Sequence, residues 1–358
     1  MLQHIDQPKE IRQGEEFDVK SLINFLRSQF PEIQGELVVK QFPSGFSNLT
    51  YQIQWGEKDW VLRRPPFGAN VKSGHDMMRE YKILTALHGS AVKVPEPILY
   101  TENTDIIGAD FYMMERVKGV ILRGYMPPEQ LPEKETMAGI SQSWVNTLAA
   151  LHQTPLQGNF TTLGKPEGYV ARQVEGWAKR YQKAKTDEIA AMEHIAVWLA
   201  ENQPTEVAGT LIHNDYKYDN VVLNPDNLTE IIAVLDWEMA TLGDPLMDLG
   251  TSLGYWLEAA DPEPLRQLSL SPTTSEGNPT REQVAAMYEK ATGKTVDNIV
   301  FYYAFGLFKI AVIIQQIYYR YKKGYTNDSR FKGLIHGVKG CSMLALQAIQ
   351  KKRIGDLF

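Results

Sequence analysis

His213-Asn-Asp-Tyr-Lys-Tyr-Asp-Asn220, followed shortly by Val234-Leu-Asp-Trp-Glu238, is the stretch on which the reading of this chain turns. Phosphoryl transfer from a magnesium-bound nucleotide needs a carboxylate facing the acceptor hydroxyl and two oxygen ligands for the cation. Asp215, Asn220 and Asp236 supply those groups in that order, Asp215 as the base and Asn220 and Asp236 as metal ligands. One short loop can present the base and the first ligand together. Apolar runs at 209–212, 221–223 and 231–235 flank the parts, so the two carboxylates are expected at strand ends or on tight loops beside a hairpin. An H-x-D triplet alone recurs by chance, and its histidine is commonly a core residue. The complete set, bracketed by strand-like runs, points to kinase chemistry.

Upstream, the pattern predicts a nucleotide lobe. An amphipathic helix over 18–30 ends at Pro31. Strands at 36–42 and 51–55 flank Pro43-Ser-Gly-Phe-Ser-Asn-Leu-Thr50, a hairpin turn placed where a phosphate-covering loop is needed. There Gly45 permits close backbone approach, Ser44, Ser47 and Asn48 offer donors, and Phe46 completes the loop. The turn lacks a glycine triplet, so an ordinary hairpin is the competing reading. A strand at 59–63 closes at Pro65-Pro66, and a helix over 75–88 places Met78, Tyr81, Leu84 and Leu87 on one side. Strands at 98–101 and 111–117 follow. Arg63 is the expected partner of the α- and β-phosphates, held by Glu80. Lysine is usual at such a place, but the planar guanidinium suits phosphate and carboxylate. Arg64, alternating to the other face, is expected toward solvent or substrate. The main chain of Met113, Glu115 and Val117 is the candidate for the adenine edge, with core packing beside the base an equal reading of Met113.

Three regions are expected: an N-terminal helical extension over 1–34, a nucleotide-binding lobe over 35–117, and a helical lobe over 118–358 carrying the catalytic and metal loops. The fold class is α+β and bilobal. A chain of 358 residues, 43% hydrophobic and 22% charged, has the composition of a globular protein. Its net charge of −6 argues against a nucleic-acid partner. The single Cys341 can form no internal disulfide. Residues 1–10 have neither a basic start nor an apolar core, so no signal peptide is expected there. Residues 299–319 invite a membrane reading, yet Lys309 and Gln315-Gln316 would be costly in hydrocarbon. A buried helix and a cytoplasmic protein, with no membrane partner, are expected.

The motif pair, with Gly243-Asp-Pro-Leu-Met-Asp-Leu249 after it, resembles the aminoglycoside phosphotransferase/choline kinase superfamily over roughly 35–340. That resemblance implies a protein-kinase-like fold, ATP (with GTP left open) and Mg²⁺ as cofactors, and the site roles given above. It also implies that Asp244 and Asp248 brace the catalytic loop and cap the next helix. Val61-Leu-Arg-Arg-Pro-Pro-Phe-Gly68, His75-Asp-Met-Met-Arg-Glu-Tyr81 and Ala171-Arg-Gln-Val-Glu-Gly-Trp177 are similar to one branch, the kinase-like domains associated with acyl-CoA dehydrogenases. Arginine in place of the strand lysine is usual there, and members are implicated in phosphorylating 4-hydroxyacyl-CoA thioesters. The acceptor implied is a small-molecule hydroxyl such as an acyl-CoA, and the partner a separate acyl-CoA dehydrogenase in the same pathway. Arg172, Trp177, Lys179 and Arg180, on one predicted helix, are candidates for holding such a thioester. An aminoglycoside or choline-type kinase, and a catalytically silent nucleotide-binding scaffold, are the alternatives.

Overall fold

A sheet covered on both faces builds the first layer, its middle strands buried nearly throughout. Strands β1 (Leu37–Gln41), β2 (Leu49–Trp55), β3 (Lys58–Arg64), β4 (Pro97–Thr101) and β5 (Phe111–Glu115) form an antiparallel sheet in the order β1-β2-β3-β5-β4. The computed structural model describes residues 7–42, 48–66, 76–156, 160, 162–267, 269–326 and 328–358. Helix α1 (Val19–Gln29) starts at Asp18, whose carboxylate accepts the Ser21 amide at 3.0 Å, a capping contact of the usual kind. Its Leu22 and Leu26 join Tyr51, Trp55, Leu62 and Met113 in a core on one face of the sheet. The other face, through Val61, Tyr112 and Met114, meets helix α2 (Met77–Leu87) and opens into a larger core that continues through the helical half.

Two expectations are corrected here. The buried side of α2 is Met77, Glu80, Ile83, Leu84 and Leu87 rather than one built on Met78 and Tyr81. A glutamate sits in that buried face because Arg63 faces it. Arg64 does point away from Arg63, but not to solvent or substrate: it is 2% exposed, donating to the Ile107 carbonyl at 2.7 Å and the Pro65 carbonyl at 3.1 Å. Alternation fixes the face; the segment carrying Ile106 and Ile107 covers it. Arg79 on α2 reaches across to the helical half, where its guanidinium donates to the carbonyls of Leu163 and Ala240, both at 2.7 Å.

The second half begins with α3 (Lys134–His152), α4 (Tyr169–Ala184) and α5 (Ala190–Glu201). Strand β6 (Thr210–Ile212) then leads into the catalytic stretch. Hairpin β7 (Val221–Asn224) and β8 (Asn227–Val234) leads to Asp236, and β9 (Thr241–Gly243) pairs back onto β6. Helices α6 (Pro245–Gly254), α7 (Glu263–Arg266), α8 (Arg281–Thr292), α9 (Ile299–Lys322) and α10 (Leu334–Lys351) complete it. Helix α9 has the length and apolarity of a membrane span, but most of that stretch is buried inside the protein, Phe301 to Val312 without interruption. It crosses α6 at backbone contact. A methyl group on Gly250 would lie 2.2 Å from the Tyr302 carbonyl oxygen, and one on Gly306 would lie 2.2 Å from that of Gly250. Only glycine allows this approach.

Candidate active site

The catalytic stretch is clamped before it reaches the cleft. Asp248 on α6 accepts the backbone amides of His213 and Asn214, each at 2.7 Å, and the His152 ring at 3.0 Å. Asn214 takes the left-handed conformation, φ 67°, which asparagine tolerates better than most residues. His213 Nε2 lies 2.9 Å from the Leu235 carbonyl and must donate, leaving Nδ1 to accept the Asp215 amide at 3.2 Å. Burial lowers the histidine pKa, which keeps the ring in this neutral form. Asp244 caps α6, accepting the Leu246 amide at 2.8 Å and the Tyr302 hydroxyl at 3.1 Å.

Asp215 lies just past β6. Its carboxylate accepts from the Asn220 side-chain amide at 3.0 Å and from the Lys217 ammonium, and the Tyr255 hydroxyl bonds to it as well. The Asn220 amide nitrogen also donates to the Asp215 carbonyl at 2.9 Å. That nitrogen being used, the Asn220 amide oxygen has no hydrogen-bond partner among the described residues. Asp236, at φ 66° just past β8, accepts Arg63 on Oδ1 at 3.0 Å, and Oδ2 has no such partner among the described residues. Burial alone would raise the Asp236 pKa; Arg63 and then Lys217 hold it below the usual value. Two oxygens, one neutral and one anionic, are the donor set a hard divalent cation takes. The residues therefore fit magnesium.

Arg63 joins the halves. One arm lies 3.1 Å from Glu80, and the other lies 3.0 Å from Asp236 and 3.7 Å from Glu238. Burial works against its charge, but these carboxylates keep the guanidinium firmly ionised. Burial raises Glu80, with Arg63 pulling the other way. The Tyr112 hydroxyl donates to Glu80 at 2.9 Å, from the strand position paired with Arg63. Asn48 departs from its expected place over the phosphates. Its side-chain amide is buried, donating to Glu80 at 3.1 Å and Glu238 at 2.9 Å, and so ties α2 to the turn after β8. Ser44, Gly45, Phe46 and Ser47 lie outside the described residues, as do His75 and the Phe67-Gly68 end of its strand motif.

Of the three expected adenine contacts, two are otherwise engaged. Met113 is inside the sheet between β3 and β4, with its side chain in the α1-side core, and the Glu115 amide donates to the Glu96 carbonyl at 2.8 Å. The Val117 amide has no hydrogen-bond partner among the described residues. Val117 packs with Ile121, Val222, Ala233 and Leu235, an apolar patch of the kind a base would cover. The proposed thioester residues on α4 do not gather into one cationic site: Arg172 donates to the Lys165 and Glu167 carbonyls, Lys179 pairs with Glu175, and Arg180 stacks on buried Trp177 at 4.6 Å.

Sequence reading missed Lys217, Tyr255 and the role of Lys309. Lys217 is buried between Asp215 and Asp219 (3.8 Å), with its ammonium 5.2 Å from the Tyr255 ring centre. Its place two residues after Asp215 was the available signal. Asp219 is pushed up to about 6 by burial, Lys217 and Arg123 opposing.

Residues 38–285 match the model of the phosphotransferase enzyme family. Acyl-CoA dehydrogenase family member 11 of Gallus gallus is 33% identical over 98% of this chain and 47% of that protein. The Homo sapiens member 11 is 36% identical over 88% of this chain and 41% of that one. The chain thus spans about half the length of the curated relatives it matches. A solved Ralstonia eutropha structure, assigned as an aminoglycoside phosphotransferase, superposes with a TM-score of 0.79 at 29% identity, covering 94% of this chain and 99% of the other. Aminoglycoside phosphotransferase APH(4)-Ia, in ternary complex with AMP-PNP and hygromycin B, shares the fold at a TM-score of 0.60 and 18% identity, covering 92% and 98%.

Proposed function

The chain belongs to the phosphotransferase enzyme family, and on that premise we propose that it transfers the γ-phosphoryl group of MgATP to a hydroxyl of a small molecule, a 4-hydroxyacyl-CoA thioester. The observation that carries the transfer is the convergence of Asp215, Asn220 and Asp236 from two loops on one cleft that Arg63 spans from the opposite sheet. Asp215 accepts the acceptor proton, its carboxylate oriented by Asn220 and balanced by Lys217. Asn220 and Asp236 would hold magnesium through their open oxygens, and the cation would draw charge from the phosphate oxygens. Lys217, paired with Asp215, would face the charge that develops on the transferring group, and Arg63 would add positive charge beside Asp236. The Val117 amide meets the adenine edge above the Ile121–Val222–Ala233 patch. The thioester acceptor is supported by similarity to acyl-CoA dehydrogenase family members, with an acyl-CoA dehydrogenase activity in the same pathway.

The test is transfer from Mg-ATP and Mg-GTP to a panel of 4-hydroxyacyl-CoAs, choline, aminoglycosides and sugars, with Asp215→Asn alongside. Removing general-base assistance lowers turnover by about 10²–10⁴. Selective labelling of the hydroxyacyl-CoA, lost in the variant, is the expected result. Labelling of another acceptor overturns the thioester assignment and keeps the kinase. Near-normal turnover of Asp215→Asn rejects the base, and absence of both transfer and nucleotide binding favours a silent scaffold.

A further inference from the structure

We propose that Lys309, on α9, is a positioning residue for the transfer: its buried ammonium holds the Asn214 peptide in the left-handed turn that aims Asp215 into the cleft. This rests on the reading of Asp215 as the base. Lys309 sits in the middle of an apolar helix and is 2% exposed. Among the described residues no carboxylate forms an ion pair with it. A buried cation without a counter-ion is costly, so its compensation shows what it serves. The ammonium donates to the Asn214 carbonyl at 2.7 Å and to the Asn214 side-chain oxygen at 3.3 Å, with the face of Trp177 at 5.9 Å.

That carbonyl belongs to the peptide bond leading into Asp215. Fixing its plane fixes the direction in which the Asp215 side chain leaves the backbone. The opposite end of Asn214 is held by Asp248, at 2.7 Å from its amide. Asn214 is therefore gripped on its amide from α6 and on its carbonyl from α9, the two helices that meet at Gly250 and Gly306. The side chain of Asn214 is used as well, donating to the Met239 carbonyl at 3.1 Å and bonding the Tyr169 hydroxyl. A residue in this conformation persists only where its surroundings over-determine it. Lys309 holds the carbonyl end of the peptide bond next to the base, whose N–H donates to His213 Nδ1 at 3.2 Å.

The charged groups facing Lys309 are Asp215 and Lys217 from the catalytic stretch, Asp248 from α6 and Arg180 from α4. Burial lowers its pKa to about 8 from the ordinary 10.5, the two aspartates resisting and the two cations adding. Two pH effects follow, with opposite signs. Turnover falls as pH rises through about 8 and the ammonium loses its charge. Stability rises over the same range, because between the folded and unfolded pKa values the unfolded chain binds the extra proton. A lysine that only filled space would leave turnover indifferent to this titration.

The experiment uses the full chain, measuring phosphate release from MgATP with water as acceptor between pH 6.5 and 9.5. Wild type, Lys309→Met, Lys309→Arg and Asp215→Asn are compared. Lys309→Met is expected to lower kcat about 10- to 100-fold, with KM for ATP and the MgADP thermal shift within two-fold of wild type. The alkaline limb near pH 8 disappears, and Lys309→Arg recovers part of kcat without restoring that limb. Wild-type kcat in folded Lys309→Met, or an unchanged limb in either variant, overturns the proposal. If Lys309→Met does not fold, the limb in Lys309→Arg decides. Asp215→Asn separates the two levels: if it retains turnover, the base assignment fails; if it is inactive while Lys309→Met is normal, only Lys309's role fails.

Discussion

Replacing Arg63 by methionine removes the cation that Glu80 faces and leaves a carboxyl that is 1% exposed with neutral partners only, Asn48 and Tyr112. Losing one partner of a buried pair costs about 3–5 kcal/mol. The structure also sets a ceiling. An unpaired buried glutamate takes up a proton rather than staying charged, and its ordinary value is 4.5. At pH 7.5 that uptake costs about 1.4 kcal/mol for each of about three pH units, or about 4 kcal/mol. At pH 5.5 the same ceiling is about 1.4 kcal/mol. Glu80 in the variant binds its proton more tightly folded than unfolded, so the deficit grows as pH rises above 4.5. Asp236 also loses Arg63, but it is 36% exposed and water takes over. Urea unfolding followed by tryptophan fluorescence at both pH values, for wild type, Arg63→Met and Arg63→Met/Glu80→Gln, measures this. The double variant should be the more stable at pH 7.5 and should lose the extra pH dependence. A deficit equal at both pH values, or a double variant no better than the single one, would refute the reasoning.

Other outcomes follow from the site and the core. Lys217→Met should lower kcat about 10²-fold, the scale for removing one donor from developing charge, with MgADP binding retained in a thermal-shift assay. Val117→Pro removes the one candidate amide for the adenine edge; KM for ATP should rise about ten-fold with kcat little changed, in steady-state kinetics. Cys341 is 2% exposed and burial pushes its thiol up to about 12. A thiol reagent should therefore label it only at the rate at which the native protein opens, which a labelling time course in rising urea will show.

Much of this arrangement is written locally. The spacing of Asp215 and Asn220 and the apolar runs around them placed both on one loop, and the paired runs before Asp236 placed it at the end of a hairpin. The apolar stretch of α9 carried its own argument for burial in Lys309 and the glutamines. What sequence hid depends on groups far apart in the chain. Asn48 is turned inward by Glu80 and Glu238, 32 and 190 residues away. Arg64 followed the strand alternation, but whether its face meets water is decided by a segment 43 residues on. Lys309 reaches Asn214 across 95 residues, and no local pattern records that the polar atom in an apolar helix has a carbonyl waiting. Met113 and Glu115 read as adenine contacts because strand hydrogen bonds to β4 and Glu96 leave no trace in composition.

The attachment of α2 bears on control. In protein kinases the lysine–glutamate pair must be assembled, and positioning of the corresponding helix is what activation governs. Here the apolar side of that helix is part of the core that fills the helical half, and Arg79 fastens it to the Leu163 and Ala240 carbonyls. Swinging it outward would expose Met77, Ile83 and Leu87 and strip the Ala240 carbonyl of its donor, while the Leu163 carbonyl would keep the Thr241 hydroxyl. In this structure the Arg63–Glu80 contact is formed, at 3.1 Å. Loosening this helix would therefore carry a core cost as well as an electrostatic one.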